Sequence, residues 1–324
     1  MARIIFILLI VLFALPLFGC DNAPATTTTT QITQGKAATT ENMVLIPAGT
    51  FFMGREDREG WSPMAAPEIF NDELPSHEVY VDAFYIDKYE VTNRQFKEFV
   101  DATGYVTDAE KDGGSDVMVS ADQASTVING TDIGWKWVTL ANWRAPEGPG
   151  SSIENIMDHP VVHVSWNDAK AYATWVGKRL PTEAEWEKAA RGGTITNWYW
   201  GDGLDNVGQY ANYYGEHRFD YVYPLEIRDG YDRTAPVGSL EPNAYGLYDT
   251  AGNIFEWVSD WYQYDYYTVS PHDNPKGPLT GTEKIMKGGS WYFCECYLRP
   301  ANRNNSELRR HDSGLGFRLV LDDK

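Results

Sequence analysis

Two cysteines, Cys294 and Cys296, stand two residues apart in the segment KGGSWYFCECYLRPANRNNSELRRHDSGLGFRL, 287–319. On a strand, residues i and i+2 point to one face with Cα atoms roughly 6.5 Å apart, so two thiolates there could close on one ion. The same spacing lies near the upper limit for a disulfide, about 6.8 Å. A third fate is burial of both as small hydrophobes. The chain holds 3 cysteines in all, too few for disulfides to staple the whole fold.

The histidines offer less. His159 and His163 are four apart, but Pro160 between them prevents the helical pair of a metalloprotease. His77, His217, His272 and His311 have no paired spacing, so structural or surface roles are expected for all six. The sequence carries no signature of a Ser-His-Asp triad, a phosphate-cradling glycine loop or a catalytic carboxylate pair.

The elements that must position these groups are clearest in 159–193. Val161, Val162 and Val164 read as a short strand. Ser165 or Asn167 then caps a helix with Ala169, Tyr172, Ala173 and Val176 on its apolar face, stopped at Gly177. Thr182 with Glu185 forms a capping box for a second helix, ended by Gly192-Gly193. Upstream, 43–49 and 51–54 read as a strand pair opening the domain, with Pro and Gly marking the turn, and 55–76 as a polar surface loop. Val79, Val81 and Ala83 begin a half-buried strand that continues through Ile86. A helix follows with Thr92 as cap, Gln95 at the capping-box position, Val91 and Phe96 as a hydrophobic staple, Phe96, Phe99 and Val100 as core face, and Gly104 as stop. Little regular structure is expected in 105–158, 194–245 and 261–284. Aromatic residues make up 14% of the chain, as a loop-rich domain must build its core from large side chains.

The N-terminus, MARIIFILLIVLFALPLFGC, combines Arg3, an apolar run from Ile4 to Phe18 and Gly19 before Cys20. Residues 1–19 read as an export signal. Leu17-Phe18-Gly19-Cys20 resembles the bacterial lipobox, which implies lipidation at Cys20, with Asp21 favouring the periplasmic face of the inner membrane; an ordinary signal peptide and an uncleaved anchor are the alternatives. Residues 20–42, rich in threonine, read as a disordered tether, and 43–324 as the folded domain. Net charge is −19, one unit more negative without Arg3. That argues against nucleic acid and anionic lipid as partners and suits divalent cations.

Several stretches closely resemble the formylglycine-generating enzyme (sulfatase-modifying factor) family: DAFYIDKYEVTN (82–93), TGYVTDAEKDG (103–113), ANWRAPEGPGSSI (141–153), the 159–193 segment, NAYGLYDTAGNIFEW (243–257), KGGSW (287–291) and GLGFR (314–318). The resemblance covers nearly all of 43–320. It implies an irregular α+β fold related to C-type lectins, low in regular secondary structure. It also implies two calcium sites. Asn212, the Tyr213 carbonyl, Asp229 and the Tyr231 carbonyl would form the first; Asp249, the Gly252 and Ile254 carbonyls and Glu256 would form the second. Calcium takes six to eight hard oxygens, and a loop-rich chain gains from a cation that gathers its carbonyls.

The generating enzymes hold Cu(I) on two cysteines five apart, which engage a sulfatase thiol so that oxygen converts it to the aldehyde. Soft Cu(I) prefers few sulfur ligands. Here Ser290 matches the family's oxygen-pocket serine, and Arg303 and Arg318 match its closing motif. Cys294 and Cys296 are displaced from the family positions, and Phe255 stands where the generating enzymes place a pocket tryptophan. The function implied is a formylglycine-generating oxidase or close derivative, acting with copper and oxygen on an exported sulfatase segment of the form Cys-x-Pro-x-Arg. Two alternatives remain: a non-catalytic, calcium-stabilised binding module of the same fold, and a family oxidase acting on another thiol.

Overall fold

A computed structural model describes residues 35–56, 67–120, 122–127, 133–214, 217–218, 221–222 and 229–323. The export signal, Cys20 and the first part of the tether lie outside these residues, as does 57–66. Residues 35–42 run along the domain, where the Asn42 carbonyl accepts from Lys88 N at 2.9 Å and Thr40 O from Met43 N at 3.1 Å. The tether expected to extend through 42 therefore ends sooner, because its last carbonyls have main-chain partners. No described helix is long and apolar enough to cross a membrane.

The first strands do not pair with each other. β1 (Met43–Ile46) pairs antiparallel with β4 (Phe84–Asp87), and β2 (Gly49–Met53) pairs with β3 (His77–Val81). The two pairings make one long ladder, interrupted at Pro47-Ala48 on one side and Asp82-Ala83 on the other. Proline cannot donate to a ladder, which marks the break. β14 (Val320–Asp322) adds to the other side of β4.

α1 (Asn93–Thr103) and α4 (Glu183–Arg191) begin at capping boxes on Thr92/Gln95 and Thr182/Glu185, and end at left-handed Gly104 and Gly192. α3 (Trp166–Trp175) is capped by Ser165, with Asp168 completing its box. Val161, Val162 and Val164 are buried but form no strand. Val161 N donates to Val91 O at 2.8 Å, and His163 breaks the extended run by adopting φ +60°.

Region 105–158 holds more regular structure than its composition indicates. α2 (Asp108–Asp112) leads into β5 (Gly114–Ser120), which pairs with β7 (Ile133–Thr139), itself paired with β6 (Thr126–Val127). The loop expected at 55–76 includes a 3-10 segment, Pro67–Glu73, with Phe70, Asp72 and Glu73 buried. Beyond a minimal hairpin of β8 (His217–Arg218) and β9 (Tyr221–Val222), the described parts of 194–245 are mainly turns.

The sheet nearest the cysteine segment has the order β12-β11-β10-β13. β10 (Phe255–Trp261) pairs antiparallel with β11 (Glu283–Lys287) and parallel with β13 (Leu315–Gly316); β12 (Asn304–Glu307) lies on the far edge. The largest apolar cluster joins this sheet to α1 and α3 through Phe96, Phe99, Trp143, Tyr172, Trp257 and Phe317. Aromatic edges meet faces there, as at Phe96 and Trp143, with centroids 5.2 Å apart and planes at 74°. Such a core needs few long helices.

Candidate active site

β11 ends at Lys287, and Gly288 and Gly289 turn the chain sharply with φ of +92° and +76°. A Cβ on Gly289 would lie 2.7 Å from Leu298, so only glycine lets this turn pack beneath the cysteine segment. Ser290 follows, fully buried, with Oγ 3.3 Å from Asn253 O and 3.2 Å from Gly314 O. Its carbonyl accepts from Phe293 N at 3.0 Å, which turns the chain toward Cys294.

Cys294 and Cys296 are not on a strand. Cys294 opens a 3-10 turn, Glu295–Tyr297, and the two sulfurs are bonded to each other with Cα atoms 5.4 Å apart. The physical reason is local pairing. This stretch is buried with no neighbouring strand to take its carbonyls. Tyr297 N therefore takes Cys294 O at 3.0 Å, Trp198 Nε1 takes Glu295 O at 3.1 Å, and Arg299 Nε takes Cys296 O at 2.8 Å. Both cysteines pack with Phe70 and Tyr297.

The other expected pocket residues lie inside the protein. Phe255 is buried, its ring against Phe293 with centroids 5.3 Å apart. Arg303 closes no pocket mouth. It pairs with Glu183, Nε to Oε1 at 2.8 Å and Nη2 to Oε2 at 3.2 Å, and lies over the Tyr267 ring at 4.3 Å. Burial opposes charge on Glu183, yet Arg303 and Lys287 hold its carboxyl below the ordinary range. Arg318 likewise pairs with Glu256, Nε to Oε2 at 2.7 Å and Nη2 to Oε1 at 2.6 Å, while also donating to the carbonyls of Lys88 and Tyr248. Each guanidinium has its donors aimed at buried acceptors, which leaves these two arginines as structural pairs.

The residues of the two expected calcium sets do come together. Asp229 accepts from Tyr231 N at 2.9 Å and Tyr213 N at 3.2 Å, so it ties both ends of the intervening excursion. Asn212 Nδ2 donates to Arg233 O at 2.8 Å, and its backbone bridges to Gly252. A Cβ on Gly252, at φ +83°, would meet Asn212 O at 1.9 Å; glycine is required where the two sets touch. Asp249 accepts from Gly238 N through Oδ2, while its buried Oδ1 has no protein partner. Burial raises its carboxyl to about 6. Ile254 is buried, and Glu256 also accepts from Trp186 Nε1 at 2.8 Å. No group of three or more His, Cys, Asp or Glu side chains among the described residues could hold an ion by itself. The donor chemistry of both sets is hard oxygen, half of it main-chain carbonyl, which fits calcium, and the Asp249 oxygen without a protein partner supports the second set. A Cu(I) site built on Cys294 and Cys296 needs both as thiolates, and in the bridged state neither sulfur is one; the pair fits copper only after reduction.

Sequence reasoning missed two clusters. Ser115 Oγ lies 2.7 Å from His163 Nδ1 and 2.8 Å from His311 Nδ1, and His311 Nε2 lies 3.2 Å from Asp112 Oδ2. His163 Nε2 reaches Pro146 O at 2.8 Å. Burial pushes His163 down to about 4, so its ring is neutral at pH 7. Ser115 is itself fully buried, so this chain of contacts joins the 141–153 segment to the 311–313 turn and exposes no nucleophile. The second is a buried ionic network in which Glu187, Lys287 and Arg191 extend the Glu183–Arg303 pair. Apart from the i,i+4 pair Glu187–Arg191 on α4, both are assembled from residues far apart in the chain, which no spacing signals.

Together these features define a loop-built α+β domain presenting a turn-borne sulfur pair behind a buried serine. Known proteins narrow that class. The chain matches the Sulfatase-modifying factor enzyme 1-like domain over residues 28–323. It is 47% identical over 293 residues to the formylglycine-generating enzyme of Thermomonospora curvata, covering 87% of this chain and 94% of that one. It is 41% identical over 259 residues to the inactive C-alpha-formylglycine-generating enzyme 2 of Bos taurus, covering 78% and 77%. Among solved structures, PvdO from Pseudomonas aeruginosa superposes with a TM-score of 0.61 at 28% identity, over 87% of this chain and 94% of that one. This chain belongs to the sulfatase-modifying factor family.

Proposed function

We propose that the protein is a formylglycine-generating oxidase or close derivative, converting a cysteine of an exported sulfatase segment, Cys-x-Pro-x-Arg, to formylglycine. The observation that carries this reading is the placement of Cys294 and Cys296, 5.4 Å apart at Cα, on a turn directly following buried Ser290. The cysteines are displaced from the family spacing, but a turn brings them within reach of each other. Reduced, the two thiolates would hold Cu(I), which supplies the oxygen chemistry. A cleft of about 530 Å³ over the paired strands β5 and β7, beside the Arg233–Glu147 ion pair, offers room for a ligand, and neither cysteine lines it. Its Arg233 wall stacks on Trp291 at 5.3 Å, just ahead of the cysteine turn. Two calcium ions, on the Asp229 and Asp249 sets, would brace the loops around this region. Lipidation at Cys20 would tether the enzyme where newly exported chains pass.

The test is Cu(I) binding by the reduced domain. One ion should bind per chain, and Cys294→Ser or Cys296→Ser should each abolish binding, because one thiolate cannot supply a two-sulfur site. Absence of binding in folded, reduced, calcium-loaded protein contradicts the oxidase. The second reading, a non-catalytic calcium-stabilised module, is favoured by the sulfurs being bonded to each other and by the likeness to a relative named inactive. Copper binding without turnover of the sulfatase peptide would support an oxidase of another thiol.

A further inference from the structure

The cysteine turn is anchored by an ion pair that crosses most of the chain. Arg299, which donates Nε to Cys296 O at 2.8 Å, places its guanidinium on Glu73. Nη2 reaches Oε1 at 2.8 Å, and Nη1 lies on Oε2. Asn302 Nδ2 adds a third donor to Oε1 at 3.1 Å, and Arg55 Nε approaches Oε2 at 3.3 Å. Glu73 is 0% exposed and Arg299 1%, so solvent does not screen the pair. Glu73 closes the same 3-10 segment that presents Phe70, and Phe70 packs on both cysteines while Arg299 lies over its ring at 4.8 Å.

We propose that Glu73, acting through Arg299, is a positioning residue for Cys294 and Cys296. A two-pronged carboxylate–guanidinium contact admits essentially one relative orientation. Fixing Arg299 fixes the Cys296 carbonyl, and the other turn carbonyls are already taken by Tyr297 N and Trp198 Nε1. The clamp thus holds the Cα atoms at 5.4 Å, inside the range in which two cysteines can join and shorter than an extended i, i+2 pair offers. Without it, the turn samples wider separations and the dithiol becomes more favourable. The relevance to catalysis rests on the oxidase reading above; the positioning does not.

The experiment is the equilibrium of the full chain with glutathione, in which two glutathione thiols are oxidised to one glutathione disulfide as the protein disulfide is reduced to the dithiol. Glu73→Gln keeps the shape but removes the charge that orients Arg299. It should shift the equilibrium toward the dithiol at least tenfold, about 30 mV for two electrons. Asn302→Ala, a milder change, should shift it about threefold by the same relation, and keeps the proposal testable should Glu73→Gln not fold. Ile285→Val, a core change in β11, should lower thermal stability without moving the equilibrium. Equal equilibria in wild type and in the folded Glu73→Gln or Asn302→Ala protein would overturn the proposal and leave the pair a purely structural one. A wild-type pair that stays reduced in excess glutathione disulfide would overturn it too. Neither measurement uses turnover, so failure of the oxidase reading is read separately.

Discussion

Asp260 should make the protein less stable as pH rises, and Asp260→Asn should remove that dependence. The side chain is 2% exposed, and its Oδ2 accepts from Glu183 N at 3.1 Å and Ser259 Oγ at 2.9 Å. Both donors are neutral. Lys284 feels the Asp260 charge, but its Nζ donates to Ser259 O at 2.6 Å and sits 3.7 Å from the Trp261 ring centroid. Burial, then the charge of Glu183, raises Asp260 from 3.8 to about 7. A pKa raised in the folded state means that the fold prefers the neutral acid. The stabilisation is complete below pH 3.8 and is lost as pH climbs through about 7. Three units at 1.36 kcal/mol each give an upper bound of about 4 kcal/mol. Relaxation around the ionised carboxylate lowers this to about 2–4 kcal/mol. Urea unfolding at fixed calcium should therefore show the stability of Asp260→Asn relative to wild type rising by about 2 kcal/mol or more between pH 4.5 and pH 8. Parallel stability–pH curves for the two proteins would refute the reasoning, since every other titrating group is common to both.

Three further outcomes are expected. Glu256→Gln removes the two-pronged partner of buried Arg318, leaving Asp249 and Glu90 as its nearby carboxyl groups, and should cost about 3 kcal/mol in urea unfolding of calcium-free protein; a loss under about 1 kcal/mol would show the pair to be dispensable. Calcium at a hundredfold excess over Kd should add about 2.7 kcal/mol of stability, seen as a Tm that falls with EDTA, and a Tm indifferent to EDTA in protein shown by metal analysis to be stripped removes the calcium sets. Cys20→Ser should leave the protein unprocessed or released from the membrane fraction; normal processing with full membrane retention contradicts lipidation.

What the sequence made legible was local. Thr92 with Gln95 and Thr182 with Glu185 mark their helices because both halves of each capping box lie within one turn of chain, and Gly104 and Gly192 end them for an equally local reason. Strand pairing was not legible. β4 lies between β1 and β14, and nothing in Phe84–Asp87 encodes that Val320 is its neighbour. The GGSDVMVS stretch reads as loop by its glycines and serines, yet β7 supplies it a full antiparallel ladder. The residues expected to bind calcium were reached through family likeness alone, and the fold shows one close approach between the two groups, where Gly252 lets the Asn212 carbonyl come near. The cysteine pair was placed on the right segment with the wrong geometry. Whether Cys-Glu-Cys forms a strand or a turn depends on Arg299 together with Trp198 and Glu73, and no local window contains the last two. Arg303 and Arg318 show the same limit, since only the fold reveals that Glu183 and Glu256 already occupy them.

On the proposed function, Cys294 and Cys296 would hold the copper at which oxygen oxidises a sulfatase cysteine. The most direct measurement of that function is the mass of a peptide containing Cys-x-Pro-x-Arg after incubation with the reduced, copper-loaded, calcium-bound protein, oxygen and a thiol reductant, with hydrazide capture of the product. The account predicts conversion of the peptide thiol to the aldehyde by wild type and none by Cys294→Ser or Cys296→Ser. Unmodified peptide with folded, copper-loaded wild type, or equal conversion by either serine variant, would contradict it.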